Sequence, residues 1–249
     1  MSWLSDFKIR HQNSAIGRAW HLLAPPVTVS RPFFGMRVCM NLRDNVDDIT
    51  RSRHDLEHRE GKILSVPDAL PRGAVVWDIG ANVGLFSVKA AVTGHPVVAF
   101  ECAEGACRLL RKTVRRANLP VTVVERAFSV EPIRYFPPKS SNPKNSVRFA
   151  PDGPAVSMTF AEAMRAYPEP TLVKMDIEGG EMAFFRADAF KKWVLERRVF
   201  WLVEVHHAVL GAWPEWKDVP HSPLDADHVL YAADGKVLED FMRRLPTSE

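Results

Sequence analysis

From residue 72 onward, short runs of apolar and β-branched residues alternate with stretches of helical character. Runs at 74–78, 96–101, 121–125, 172–176 and 200–205 are predicted as strands, with helices at 83–93, 104–117, 159–167 and 181–197 between them. The runs are apolar at nearly every position, as strands are when a sheet is covered on both faces. Strands separated by helices must cross over and pair in parallel. A last pair of β-type runs, 228–232 and 236–238, flanks Ala233-Asp234-Gly235, and Asp-Gly between such runs predicts a hairpin turn. The fold class is therefore α/β: a mostly parallel sheet with helices on both faces and a C-terminal antiparallel hairpin.

Two stretches break this rhythm. Residues 136–154, rich in Pro, Ser and Asn, are too long for an ordinary connection and predict either a lid or a small added hairpin. Residues 206–223 carry Trp213, Pro214, Trp216 and Pro220 among three histidines. Loops of this length at the carboxyl ends of parallel strands are where ligands bind. Trp213 and Trp216 suit stacking on a sugar ring and plain packing equally well. Before residue 72 the period is less regular, and 33–42 predicts an extra strand or hairpin. The chain thus divides into an N-terminal extension over 1–71, a helix plus that strand or hairpin, and a main domain over 72–249.

With 46% of its 249 residues hydrophobic, the chain can bury a full core within one domain. The net charge of +3 is small and the two signs are interspersed. The basic stripe of Arg108, Arg111, Lys112, Arg115 and Arg116 has no interleaved aromatic residue to stack on bases, so no nucleic-acid partner is expected. Cys39, Cys102 and Cys107 form an odd set without a CxxC pair, which argues against disulfides and structural zinc and for a reducing, cytoplasmic setting. Near the start, Asp6, Lys8, Arg10 and Arg18 interrupt every apolar run, so neither a signal peptide nor a transmembrane segment is expected. A helix packed on the domain is preferred there over one lying on a membrane surface.

The chemistry concentrates at three strand ends. Asp78-Ile79-Gly80-Ala81-Asn82-Val83-Gly84 joins a strand to a helix, and Gly80, Asn82 and Gly84 are types that accept unusual backbone angles in so sharp a turn. The helix that follows points free N–H groups over the turn. Glu101 closes the next strand, where a carboxylate can accept hydrogen bonds from both hydroxyls of a ribose. After the third strand comes the turn Arg126-Ala127-Phe128, and Ala127 is a candidate there because nucleoside-binding folds of this kind meet the base at that turn.

The fourth strand runs into Lys174-Met175-Asp176-Ile177-Glu178-Gly179-Gly180-Glu181. Lys174 is an ammonium in a central strand and must be paired; Glu204, in the adjoining run, is its expected partner. Asp176 ends that strand at the crevice. Glu178 and Glu181 suit the start of the next helix as structural, capping acids. For proton removal the catalytic candidates are Asp176 and His206. Asp176, Glu204 and His206 could alternatively gather a divalent metal, but their spacing matches no defined metal motif and no metal is expected.

Together these segments carry a resemblance. Asp78 to Gly84, read as D-x-G-x-N-x-G, resembles the first motif of class I S-adenosylmethionine methyltransferases. Lys174 to Glu181 is similar to the K-x-D-x-E-G-x-E hallmark of the FkbM-type methyltransferases, and Val203-Glu204-Val205-His206 looks like that family's next strand. Gly180 stands where the family often has Ala. The resemblance implies a Rossmann-like fold and S-adenosylmethionine as cofactor, held by Asp78, Gly80, Ala81, Asn82, Gly84, Glu101 and Ala127, with Asp176 facing the reacting methyl group. It implies O-methylation (EC 2.1.1.-) of a hydroxyl on a small molecule or glycan. Two rivals stand beside it: an NAD(P)-dependent oxidoreductase, weakened by the absence of GxGxxG, and a non-catalytic nucleoside-binding module.

Overall fold

The computed structural model describes residues 25–45, 48–49, 52, 62–141, 147–177, 180–205 and 216–246. The predicted segment before residue 25, Glu178, His206 and the loop with Trp213 lie outside the described residues. A hairpin comes first, β1 (Thr28–Phe33) and β2 (Met36–Asn41), paired antiparallel around Phe34-Gly35. It fulfils the strand or hairpin expected over 33–42. A short helical segment, α1 (Lys62–Ser65), leads into a 3-10 turn over Val66–Ala69.

The alternating part then follows: β3 (Val76–Ile79), α2 (Leu85–Val92), β4 (Val97–Glu101), α3 (Glu104–Ala117) and β5 (Val121–Glu125). After an insertion come α4 (Phe160–Ala166), β11 (Leu172–Met175), α5 (Glu181–Phe185), α6 (Asp188–Glu196) and β12 (Phe200–Glu204). The chain ends with β13 (His221–Pro223), β14 (His228–Tyr231) and α7 (Gly235–Arg244). Between β5 and α4 lie the short strands β6 (Phe128–Ser129), β7 (Arg134–Phe136), β8 (Arg148–Phe149), β9 (Ala155–Val156) and β10 (Met158–Thr159).

The main sheet has seven strands in the order β13-β14-β12-β11-β3-β4-β5. Five are parallel, and β14 and β13 close the edge as an antiparallel pair beside β12. From β3 the chain builds outward through β4 and β5, then returns to lay β11 and β12 on the other side. Such a reversal opens a crevice at the carboxyl ends of β3 and β11.

Side chains alternate between two cores, as strands of period two require. Val76, Val97, Ala99, Leu172, Phe200 and Leu202 face the hairpin with α2, α3 and α7. Trp77, Val98, Phe100, Val173, Trp201 and Val203 face α4, α5 and α6. The hairpin shares the first core through Phe33, Val38, Cys39 and Met40, and the Cys39 amide donates to Thr113 Oγ1 on α3. No helix among the described residues is long and apolar enough to cross a membrane.

Two elements differ from the sequence expectation. Gly235 opens a helix instead of turning a hairpin: Asp234 is its N-cap, accepting from the Val237 amide at 3.0 Å. The hairpin partner of β14 lies before it, at His221–Pro223. The predicted helix over 181–197 is two helices, α5 and α6, parted at Arg186 and Ala187. The break lets Phe185 turn into an aromatic cluster, 4.6 Å from Trp201 and 5.7 Å from Trp216 between ring centroids. The insertion is a small antiparallel sheet, β8-β7-β9, which takes the added-hairpin alternative of the sequence expectation.

Candidate active site

The glycine turn sits at the reversal of the sheet. The Gly80 and Ala81 amides both donate to Phe100 O, at 2.9 and 3.0 Å, tying the turn to the neighbouring strand end. Gly80 has φ +83°, and a Cβ there would come within 1.7 Å of the Asp176 carbonyl oxygen. Only glycine lets the two strand ends approach so closely. Gly84 has φ +88°, and its missing Cβ leaves room for Leu110 of α3. Asn82 also takes a left-handed angle, φ +51°. Gly84 is the N-cap of α2 and offers no side chain, while the Asp78 carboxylate accepts from the Ser87 amide in the first turn of that helix.

Glu101 organises the next edge. Its Oε2 accepts from the Asn82 amide at 2.7 Å, and its Oε1 accepts from the amides of Cys102 and Ala103 at 2.8 and 2.7 Å. Burial pushes its carboxyl up, while those three amides and the Cys102 thiol hold it back. A carboxylate offers about four lone-pair positions, so a further hydroxyl would take the place of the weak thiol donor. Burial, with Glu101 beside it, also pushes the Cys102 thiol up to about 12, and Cys107 is raised as well. Neither is a thiolate nucleophile at neutral pH.

Asp78 lies beneath the turn and is fully buried. Its Oδ2 accepts from Ser87 Oγ at 2.5 Å, and its Oδ1 is 3.9 Å from Lys174 Nζ. Burial raises its pKa against the pull of Lys174 and Ser87. Ala127 is enclosed too: its amide donates to the Tyr135 hydroxyl at 3.0 Å, and its carbonyl accepts from the Met158 amide at 2.7 Å. Glu181 is wholly buried and accepts from the Ile177 amide at 2.6 Å, bracing the acidic turn from the first residue of α5.

Beyond the turn, charged groups form a row across the sheet. Lys174 stands in register with Asp78 on β3 and Leu202 on β12. Its ammonium donates to Asp176 Oδ2 at 3.1 Å, and Glu204 acts on it too. Asp176 and Glu204 follow the paired Met175 and Val203 and act on each other, and Glu204 faces His228, its register partner on β14, with Nε2 at 3.5 Å. His228 Nδ1 lies 2.9 Å from Asp225 Oδ1. Burial raises the Asp176 pKa, and Glu204 raises it further, against Lys174. Although burial opposes it, Glu204 is lowered to about 2 by His228 and Asp176. Among the described residues, no group of three or more His, Cys, Asp or Glu could hold a metal ion.

The family profile described as the methyltransferase FkbM domain matches residues 78–221, from the glycine turn to the start of β13. The chain belongs to the FkbM methyltransferase family. No curated protein compared with the chain matches it. Among solved structures it is similar to the C-terminal domain of precorrin-6Y C5,15-methyltransferase from Rhodobacter capsulatus, at 14% identity and TM-score 0.40, covering 71% of this chain and 88% of that one. It is also similar to an S-adenosylmethionine-dependent methyltransferase from Agrobacterium tumefaciens, at 12% identity and TM-score 0.42, over 74% of this chain and 55% of that one. A third is the Pyrococcus abyssi tRNA (uracil-54, C5)-methyltransferase in complex with S-adenosyl-L-homocysteine, at 10% identity and TM-score 0.46, over 82% and 43%.

Within this FkbM chain, the structure gathers Gly80, Ala81, Asn82, Gly84, Glu101, Lys174, Asp176 and Glu204 at one end of the sheet. Sequence reasoning missed Ser87, Asp225 and His228. Ser87 lies within the first turn of α2, above Asp78, and His228 stands opposite Glu204; strand alignment is the signal that would have found the second.

Proposed function

We propose that this protein transfers a methyl group from S-adenosylmethionine to a hydroxyl group of a small molecule or sugar. The observation that carries the proposal is the contact of Gly80 with the Asp176 carbonyl, because it joins a nucleoside-type turn to a carboxylate at the sheet reversal. The residues present fit the donor. Glu101 stands at the end of β4 beside the turn, where a ribose hydroxyl can take the place of the Cys102 thiol on its carboxylate, and α2 starts at the turn behind a glycine N-cap.

Once bound, the donor supplies an electrophilic methyl carbon on a sulfonium. The chain positions the acceptor in line with it, which accounts for much of the acceleration. Asp176 receives the acceptor's proton as the oxygen attacks, and Lys174 holds the carboxylate in place from the side. Asp78 fixes Ser87, and with it the angle of α2 below the donor.

The test is a screen with methyl-labelled donor against hydroxylated sugars and alcohols, with RNA as a comparison. Label on a hydroxyl oxygen, lost about 10²–10⁴-fold in Asp176→Asn, is the expected result. Label on a nucleobase, or full activity in the variant, would refute the reading.

A further inference from the structure

We propose that Asp44, Asn45 and Ser141 are positioning residues: they clip the N-terminal hairpin to the insertion and so set the edge of the crevice where Glu101 takes the ribose of the donor. This rests on the methyltransferase reading of the crevice. The clip joins the turn after β2, which precedes the family-matched residues 78–221, to a part of the insertion that lies within them.

The clip is a closed set of bonds. After β2 the chain turns back, with the Asn45 amide donating to Asn41 O at 2.8 Å and Asn45 Oδ1 accepting from the Asn41 amide at 2.9 Å. From that turn the Asn45 side chain donates through Nδ2 to Ser141 O at 3.2 Å, and Asp44 Oδ2 accepts from the Ser141 amide at 3.0 Å. The Ser141 hydroxyl lies 3.0 Å from Asp44 Oδ2 and 3.2 Å from Asn45 Oδ1. Asn45 and Ser141 are only 3% and 2% exposed, so these bonds form away from water, where a satisfied polar set fixes one arrangement.

What the clip holds is the start of α3. Leaving β7, the chain passes through Pro137 and Pro138, which fix two φ angles, and crosses the first turn of that helix. The Glu104 amide donates to Pro138 O at 2.9 Å. A Cβ on Gly105 would stand 2.7 Å from Lys139 O and 2.8 Å from Ser141 N, so main chain lies directly on main chain. Immediately before Glu104 come Cys102 and Ala103, whose amides are the donors to Glu101 Oε1. The hairpin thus grips α3 at Thr113 directly and at Gly105 through the clip, about 12 Å apart along the helix axis. Loosening the clip frees the start of α3, lets those two amides drift from the carboxylate, and weakens its hold on a ribose.

The test needs no acceptor. The full chain is titrated calorimetrically with S-adenosylhomocysteine in four forms: unaltered, Ser141→Ala, Glu101→Gln and the double variant, each shown to be folded by circular dichroism. Asp44→Ala cuts the same clip from its less buried side and replaces Ser141→Ala if that variant does not fold. The expected result is a Kd about fivefold higher when the clip is cut, the worth of about one hydrogen bond, and no further rise when the same cut is made in Glu101→Gln. A lower melting temperature with an unchanged Kd would overturn the proposal, since the clip would then serve the fold alone. An equal rise on both backgrounds would also overturn it, because the clip would then act somewhere other than the ribose carboxylate. If the unaltered chain does not bind the nucleoside, the reading of the crevice falls and takes the clip's role with it; if it binds and the cut changes nothing, the clip's role alone falls.

Discussion

Gly80 and Asp176 touch backbone to side-chain position across the sheet reversal, with 1.7 Å between the carbonyl oxygen of Asp176 and the place where a Cβ on residue 80 would stand. The obstacle is backbone, so it cannot swing aside. Gly80→Ala is expected to cost about 3 kcal/mol or more, from the overlap and the φ of +83° together. Chemical denaturation measures it. A loss within about 0.5 kcal/mol would mean that the two strand ends are not held together as described.

The tryptophans of the second core are not equivalent. Trp77 donates to Pro168 O at 3.0 Å and Trp216 to Phe185 O at 2.9 Å, whereas the buried Nε1 of Trp201 has no hydrogen-bond partner among the described residues. Replacement by Phe removes a bond at residue 77 and an orphan donor at residue 201. Trp77→Phe is therefore expected to destabilise by about 1 kcal/mol more than Trp201→Phe. Paired urea titrations decide it, and equal losses would contradict the difference in bonding.

His228 makes stability depend on pH. Its carboxylate partners hold its pKa above the ordinary value of 6.5 despite burial, so it binds a proton more tightly folded than unfolded. That contribution is complete below 6.5 and is lost as pH rises through the raised folded value. Glu204 has the opposite sign: its folded pKa of about 2 lies below the ordinary 4.5, so its contribution is present above 4.5 and lost as pH falls toward 2. The melting temperature is expected to decline on the alkaline side, starting near 6.5, and His228→Gln should flatten that limb. An unchanged limb in the variant would assign the slope to other groups.

The parallel strands were legible because each apolar run is short and ends at a residue with chemistry: Glu101, Asp176 and Glu204 mark three strand ends that the structure places within one residue of expectation. The C-terminal hairpin was misplaced because Asp-Gly serves two backbone uses. Asp234 caps a helix as readily as it starts a turn, and α7 has a strong apolar stripe in Leu238 and Phe241 that settles the contest. The true partner strand, His221–Pro223, contains a proline and is tolerated because it is an edge strand. Lys174, expected to pair with Glu204, acts on it but also bonds Asp176, which the sequence reading did not foresee. Leu202, not Glu204, stands beside Lys174, and Glu204 falls one step further along, next to Asp176. Pairing across strands depends on register to one residue, which apolar runs alone do not fix.

The most direct test of the account is calorimetric titration of the full chain with S-adenosylhomocysteine and, separately, with NAD and NADP, repeated on Glu101→Gln. The predicted result is binding of S-adenosylhomocysteine at about micromolar Kd, weakened about tenfold in the variant, with no heat from either dinucleotide. Binding of NAD or NADP without S-adenosylhomocysteine, or equal affinity in Glu101→Gln, would contradict the assignment of this crevice to a methyl donor.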